Sequence, residues 1–124
     1  MKKILVADDS EIIKNIIAKA IADDYEVLKA SNGREATDLI VQDKDREIVG
    51  LLLDLNMPGT DGFYVLNYFK NNNLFKRIPV SIISGDDSKE TIDKAFTYEI
   101  VDLLNKPFGV DNIKNVVSKM ENYK

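Results

Sequence analysis

The sequence predicts an α/β fold in which helices cover both faces of a parallel sheet. Five apolar runs alternate with five amphipathic stretches, most of the apolar runs are continuous, and several end in a charged or polar residue. A chain of 124 residues is long enough to bury one sizeable core. We therefore expect a single domain over residues 1–124, a doubly wound (βα)5 sandwich of three layers with no output domain.

The first half of the chain contains two strand–helix pairs. Residues 3–8 form an apolar run that ends in acid, and residues 25–30 form a second run that the segment SNG ends. Residues 11–22 and 33–43 carry apolar side chains at helical spacing. The apolar stripe of the first helix is expected to lie in the core. It consists of Ile12, Ile13, Ile16, Ile17, Ala20 and Ile21.

The second half of the chain continues the same alternation. Asp87 or Ser88 is the expected N-cap of the fourth helix, because short polar side chains accept hydrogen bonds from the free N–H groups there. Phe96 is assigned to the apolar face of that helix, and Val110 to the apolar stripe of the fifth. The predicted strands cover residues 48–55, 78–84 and 100–104, and the predicted helices cover residues 62–72, 88–98 and 110–122.

The composition excludes several classes of site. The chain has no Cys and no His, which excludes thiolate nucleophiles, imidazole general bases and most zinc sites. With 21 acidic and 17 basic residues the net charge is −4, which argues against broad nucleic-acid binding. The N-terminus does not resemble a signal peptide, and no apolar run reaches membrane-spanning length. We expect a cytoplasmic protein that binds neither nucleic acid nor membrane.

Polar side chains follow four of the five predicted strands. Asp8 and Asp9 come at the end of the first strand, and Asp54 comes at the end of the third. Ser84 ends the fourth strand, and Lys106 follows the fifth. The carboxyl ends of parallel strands meet at one edge of a sheet, where ligands bind near the reversal of strand order. We therefore expect these side chains to gather at that edge.

A cluster of carboxylates predicts a bound cation and phosphoryl chemistry. Like charges disfavour one another's ionisation unless a cation neutralises them, and oxygen ligands suit Mg²⁺. A carboxylate beside a metal, a hydroxyl and an ammonium suits phosphoryl transfer, and Asp54 is the candidate nucleophile. Taken singly, Asp8 and Asp9 could simply favour a helix N-terminus. Ser84 could be a turn residue and Lys106 a surface lysine.

These motifs are similar to those of a known family. The chain resembles the receiver domains of two-component response regulators, including the chemotaxis receivers, over essentially its whole length. The resemblance is carried by LVADDS, LLLDLNMPGTDG, SIISG and NKPF, each at a predicted strand end and in this order. It implies a flavodoxin-like sheet of five parallel strands in the order 2-1-3-4-5.

The resemblance also implies a metal site. Asp9 and Asp54 would bind Mg²⁺ directly, or Mn²⁺ in its place, together with the backbone carbonyl of Asn56. Asp8 would reach the ion through water. The cofactor expected from the resemblance is therefore a divalent cation held by oxygen atoms alone.

The resemblance assigns roles in phosphoryl transfer as well. Asp54 would accept a phosphoryl group from a phosphohistidine on a histidine kinase or a phosphotransfer protein. Ser84 and Lys106 would contact the phosphoryl oxygens. The peptide bond before Pro107 would be cis, which is uncommon even before proline. The absence of His from the chain agrees with a phosphohistidine that belongs to a partner.

Two positions depart from the family pattern, and two others lie at positions that set the lifetime of the phosphoryl group in this family. Leu103 stands where most receivers have an aromatic residue whose rotation accompanies activation. Gly85 stands where alanine is common, which leaves the site more open. Asn56 and Asp86 lie where hydrolytic water approaches the phosphoryl group. Asp86 could orient that water or repel an anionic donor.

The expected function is a phosphorylation-controlled switch that acts by binding proteins. The resemblance places the downstream partner on the face formed by the fourth helix, fifth strand and fifth helix, in a monomer or a phosphorylation-dependent dimer. Two alternatives stay open. A degenerate receiver would bind partners without phosphorylation. Leu103 is compatible with this alternative, because it replaces the aromatic residue whose rotation accompanies activation in most receivers. An aspartate-nucleophile phosphatase would need a second carboxylate where the chain has Asn56.

Overall fold

A computed structural model, which describes residues 2–123, confirms the predicted parallel sheet and its order β2-β1-β3-β4-β5. Met1 and Lys124, the ends of the expected domain, lie outside the described residues. The strands are β1 (Lys3–Ala7), β2 (Glu26–Ala30), β3 (Ile48–Asp54), β4 (Val80–Ser84) and β5 (Asp102–Asn105). The helices are α1 (Glu11–Ile21), α2 (Gly33–Gln42), α3 (Gly62–Asn71), α4 (Lys89–Ala95) and α5 (Val110–Glu121).

Each face of the sheet carries its own hydrophobic cluster, which produces the three layers. Successive residues of a strand point to opposite faces. Leu51 and Leu53 of β3 therefore pack with α2 and α3, whereas Leu52 packs with α1 and α5. All three leucines are at most 1% exposed. Burial on both faces explains why β3 is a continuous apolar run.

All ten predicted elements are present, and the largest difference in their bounds is at α4. This helix ends at Ala95 rather than at residue 98, and Phe96 is its C-cap. The Lys94 carbonyl accepts from the Thr97 hydroxyl at 2.6 Å and from the Thr97 N–H at 3.2 Å, which ends the helix with local hydrogen bonds. Phe96 is 53% exposed, so its assignment to the buried face was wrong.

The isoleucine stripe of α1 is narrower than predicted. Ile17 and Ile21 are buried, but Ile12 is 72% exposed and Ile16 is 40% exposed. Successive helical residues are about 100° apart, so residues 12 and 16 lie beside the stripe that faces the sheet. Val110 of α5 is likewise 47% exposed. The prediction that Ile12 and Ile16 belong to the core was wrong, and Val110 lies outside the buried stripe of α5.

The loop after β3 turns sharply and returns against the strand end. Gly59 adopts a φ of +80°, which L side chains rarely adopt. The Gly62 N–H donates to the Leu55 carbonyl at 3.1 Å. A Cβ at Gly62 would lie 2.6 Å from the carbonyl oxygen of Asp54 and 2.7 Å from the Cα of Leu55. This close approach requires glycine at residue 62.

Gly62→Ala is expected to lower the free energy of unfolding by about 1–3 kcal/mol, because the added methyl overlaps backbone atoms that cannot move independently. Urea unfolding followed by circular dichroism measures this change. Gly85→Ala is the matched control, since Gly85 is exposed and a Cβ there would meet nothing within 4 Å. Equal stabilities of the two variants would contradict the steric role of Gly62.

Candidate functional site

The carboxyl edge of the sheet brings together the acidic residues and the lysine selected from the sequence. Asp8 and Asp9 directly follow β1, Asp54 ends the neighbouring strand β3, and Lys106 follows β5. Carboxylate oxygens of Asp8, Asp9 and Asp54 all lie within 4.8 Å of one another. Asp8 is fully buried and Asp54 is 2% exposed, whereas Asp9 is exposed. The predicted acidic cluster is therefore present in the fold.

Helix capping does not account for the acidic pair. Ser10 is the N-cap of α1, and its hydroxyl accepts from the Ile13 N–H at 3.3 Å. The Asp8 Oδ1 accepts from the Ser10 N–H at 2.8 Å, which holds this carboxylate at the turn between β1 and α1. Ser10 therefore occupies the N-cap position, and neither Asp8 nor Asp9 caps α1.

Lys106 balances the charge of the buried carboxylates. Its Nζ lies 2.9 Å from the Asp8 Oδ2 and 3.4 Å from the Asp54 Oδ2. Burial by itself would lower the pKa of Lys106, but the Asp8 and Asp54 carboxylates outweigh burial and raise it. Lys106 is thus a charged ammonium directed at the acidic cluster, and the alternative of an ordinary surface lysine is excluded.

The surroundings of Asp54 disfavour the charged form of its carboxyl group. Burial is the largest influence and raises the pKa of Asp54, and the neighbouring Asp8 raises it further. The Asn56 N–H, which donates to the Asp54 Oδ1 at 3.1 Å, and the Lys106 ammonium act in the opposite direction. The pKa nevertheless stays above its ordinary value. Additional positive charge at this position would therefore be bound favourably.

The donor set fits a hard divalent cation. The three carboxylates offer oxygen ligands, which Mg²⁺ prefers. Among residues 2–123, the Lys106 ammonium at 2.9 Å is the polar side-chain partner of the buried Asp8 Oδ2. A carboxylate oxygen with a single partner retains a lone pair for water or a ligand. Asn56, whose backbone carbonyl completes the predicted ligand set, is exposed in the loop that follows β3.

Ser84 lies at the end of β4, as predicted, but its hydroxyl faces the following loop. Ile83, the residue before it, is the neighbour of Asp54 in the sheet. The buried Ser84 Oγ accepts from the Asp86 N–H at 3.0 Å and donates to the Asp86 carbonyl at 3.1 Å. The structure therefore brings Lys106 into contact with Asp54, while the Ser84 hydroxyl is engaged elsewhere.

The segment around β5 agrees with the resemblance at one position and departs from it at another. The peptide bond between Lys106 and Pro107 is cis, which confirms that prediction. Leu103 lies beside Ile82 of β4 and is partly buried against the core cluster that contains α2 and α3. Tyr98 packs against the same cluster, and its hydroxyl donates to the Asn67 side chain at 2.7 Å.

Sequence analysis missed a buried lysine near the site. Lys14 of α1 is 1% exposed, and its Nζ donates to the Ser31 hydroxyl at 2.7 Å. It also forms an ion pair with Glu11 at 2.8 Å. Lys14 thereby fastens α1 to the loop between β2 and α2. Its position among isoleucines hinted at burial, but the partner Ser31 is 17 residues away and left no local signal.

Comparison with known proteins identifies the family. The sequence profile of the response regulator receiver domain matches residues 4–118. The chain belongs to this family. A receiver domain is a signalling module of two-component systems. The family predicted from the sequence motifs is therefore confirmed.

Among residues 2–123, no helix has both the length and the apolar character needed to cross a membrane.

Individual relatives agree with this assignment. The chemotaxis protein CheY1 of Helicobacter pylori is 32% identical over 114 residues, which cover 90% of both proteins. The receiver domain of a Francisella response regulator has a TM-score of 0.83 at 29% identity, with full coverage of both chains. The two-component response regulator-like PRR37 of rice is 30% identical over 92% of this chain. The chain spans 15% of the rice protein and 55% of the Pseudomonas putida glycerol metabolism activator.

Asp54→Asn is expected to stabilise the metal-free protein at neutral pH. A raised pKa means that folding favours the protonated carboxyl. The stability that the protonated Asp54 adds is fully present below the unfolded-state pKa and is lost as the pH rises through the folded-state pKa. At neutral pH the carboxyl is charged, and the charged form opposes folding. Removing the charge should add on the order of 1 kcal/mol to the free energy of unfolding in EDTA. The gain should vanish at about pH 3, below the usual pKa of aspartate.

Urea unfolding at both pH values measures this effect. Asp38→Asn is the control, because Asp38 is an exposed carboxylate of α2 and should show no comparable gain. A loss of stability for Asp54→Asn at neutral pH would show that pairing with Lys106 outweighs burial.

Proposed function

We propose that the chain is a phosphorylation-controlled switch whose phosphoacceptor is Asp54. The observation that carries this proposal is a buried carboxylate at the end of the central strand, set between the Asp8 carboxylate and the Lys106 ammonium. The donor is a phosphohistidine on a histidine kinase or a phosphotransfer protein, in keeping with the family. The 124 residues contain no His, so the proposed phosphohistidine lies outside this sequence.

The transfer step is a displacement at phosphorus. An oxygen of the Asp54 carboxylate attacks the phosphorus atom, and a P–O bond forms as the P–N bond to the donor imidazole breaks. The imidazole leaves with the electron pair of that bond and takes up a proton. The carboxylate needs no general base, because it attacks in its ionised form. This agrees with a site that is composed of carboxylates, a lysine and a serine.

Charge neutralisation explains the residues around Asp54. Asp9, Asp54 and the Asn56 carbonyl would hold Mg²⁺ or Mn²⁺ directly, with Asp8 acting through water, and the ion would offset the charge of the phosphoryl oxygens. Lys106 supplies a second positive charge at the same place. An acceptor that is surrounded by cations can receive a dianionic group that carboxylates alone would repel.

The switch requires a change at Ser84 that reaches the surface. In the proposed phosphorylated state the Ser84 hydroxyl turns toward a phosphoryl oxygen and leaves the backbone of Asp86. The segment beyond Asp86 leads into α4, so the displacement reaches the face formed by α4, β5 and α5. Phe96 at the end of α4 and Val110 at the start of α5 are exposed apolar side chains, which suits a protein partner. Output is a shift of population between two arrangements.

The phosphoacceptor role is tested by intact mass spectrometry after incubation with acetyl phosphate. The wild type with Mg²⁺ should gain the mass of one phosphoryl group, and EDTA should abolish the gain. Asp54→Asn should gain nothing, whereas Asp38→Asn, which removes an exposed carboxylate of α2, should behave like the wild type. Phosphorylation of Asp54→Asn at the wild-type level would overturn the assignment.

The same samples distinguish the alternative functions. A degenerate receiver would neither gain the phosphoryl group nor bind beryllofluoride, which mimics a phosphoryl group on a carboxylate. A phosphatase would release phosphate continuously from p-nitrophenyl phosphate. We expect no such turnover, because Asn56 occupies the position where a general acid would be needed. Size-exclusion chromatography with and without beryllofluoride shows whether the switch is a monomer or dimerises when activated.

A further inference from the structure

The hydroxyl of Ser84 is occupied by the loop that connects β4 with α4. Its two hydrogen bonds to the backbone of Asp86, at 3.0 and 3.1 Å, use the hydroxyl both as acceptor and as donor. Ser84 is fully buried, so water does not replace these bonds when they break. The position of the Asp86 backbone therefore controls whether the Ser84 hydroxyl is available to a phosphoryl oxygen.

The Asp86 backbone is fixed in turn by its own side chain. One carboxylate oxygen accepts from the Ser88 N–H at 2.8 Å, and the other accepts from the Thr91 hydroxyl at 2.8 Å. These contacts lower the pKa of Asp86, the Ser88 N–H most and the Thr91 hydroxyl next. The carboxylate is thus a hydrogen-bonded anion between the loop and the first turn of α4.

Thr91 is the side chain that anchors this loop to a helix. The other contact of the Asp86 carboxylate is to the backbone N–H of Ser88, the N-cap of α4, so Thr91 supplies the side-chain part of the link between Asp86 and the helix. Thr91 is the third residue of α4, and its hydroxyl is partly buried against the carboxylate. Hydrogen bonds to charged groups are stronger than neutral ones. A short chain of hydrogen bonds therefore runs from Ser84 through Asp86 to Thr91.

We propose that Thr91 is a positioning residue that holds the Ser84 hydroxyl in its unphosphorylated arrangement by anchoring Asp86. The inference rests on the proposed function of Asp54 and adds a residue that opposes activation. Phosphorylation releases Ser84 from the Asp86 backbone, and the Asp86–Thr91 hydrogen bond resists that release. Its strength sets the equilibrium between the two arrangements before any phosphoryl group is present.

Thr91→Val tests the anchor, because valine keeps the shape of threonine and removes the hydroxyl. Loss of one hydrogen bond should raise the affinity for beryllofluoride in the presence of Mg²⁺ about fivefold, since only the unphosphorylated arrangement is weakened. The affinity is measured from the shifts of the Gly85 and Asp86 amides in two-dimensional NMR. In the free protein, the Asp86 amide should exchange with solvent faster in Thr91→Val. Thr91→Ser, which restores the hydroxyl, should return both values to the wild type.

Thr97→Val is the matched control, because it removes a hydroxyl hydrogen bond of α4 without removing the contact to Asp86. The Thr97 hydroxyl donates to the Lys94 carbonyl at the opposite end of α4 and does not contact Asp86. This variant should lose stability in urea without a change in beryllofluoride affinity. Equal gains of affinity in Thr91→Val and Thr97→Val would overturn the anchor.

The remaining outcomes separate the inference from the proposed function. Unchanged exchange of the Asp86 amide in Thr91→Val overturns the anchor, whether or not the protein binds beryllofluoride. A wild type that binds no beryllofluoride overturns the proposed function and the coupling together. A wild type and a Thr91→Val variant that bind equally well overturn the coupling alone.

Discussion

Two buried carboxylates at the edge of the sheet are the constraint on which the rest of the structure depends. An ionised carboxylate removed from water must find partners, or the fold loses several kcal/mol. Asp8 and Asp54 share the ammonium of Lys106, and each also accepts a backbone N–H from the loop that follows it. The partners come from the ends of β1, β3 and β5, so this compensation exists only when these strands have assembled.

Strand order makes this compensation possible. β1 and β3 are neighbours at the centre of the sheet, which places Asp8 beside Asp54, whereas β5 lies beyond β4. A cation from β5 must therefore pass the end of β4, and the long, flexible side chain of lysine suits that span. The Lys106 N–H donates to the Ser84 carbonyl at 2.8 Å, which fixes its backbone at the end of β4. The same contact ties the backbone of Lys106 to the backbone of Ser84 at the carboxyl edge of the sheet.

The sequence predicted the structure best where a pattern of neighbouring residues determines it. Buried parallel strands appear as apolar runs, so the sheet and the polar residues at its edge were predicted correctly. Side-chain direction was harder to predict, because one residue of offset on a helix decides exposure. Ile12 and Ile16 were placed in the core for this reason and are exposed. Long-range polar contacts such as Lys14 with Ser31 leave no periodic pattern. The direction of the Ser84 hydroxyl likewise depends on a loop conformation that residue types alone do not determine.

The burial of Lys14 has a consequence for chemical labelling of the protein. Reagents that acylate amines need an accessible, neutral nitrogen, and the Lys14 ammonium is enclosed between Ser31 and Glu11. The lysines on the surface react from the native state, whereas Lys14 reacts only when α1 separates from the loop that follows β2. Its modification rate therefore reports local opening between α1 and that loop, and the exposed lysines provide the internal standard.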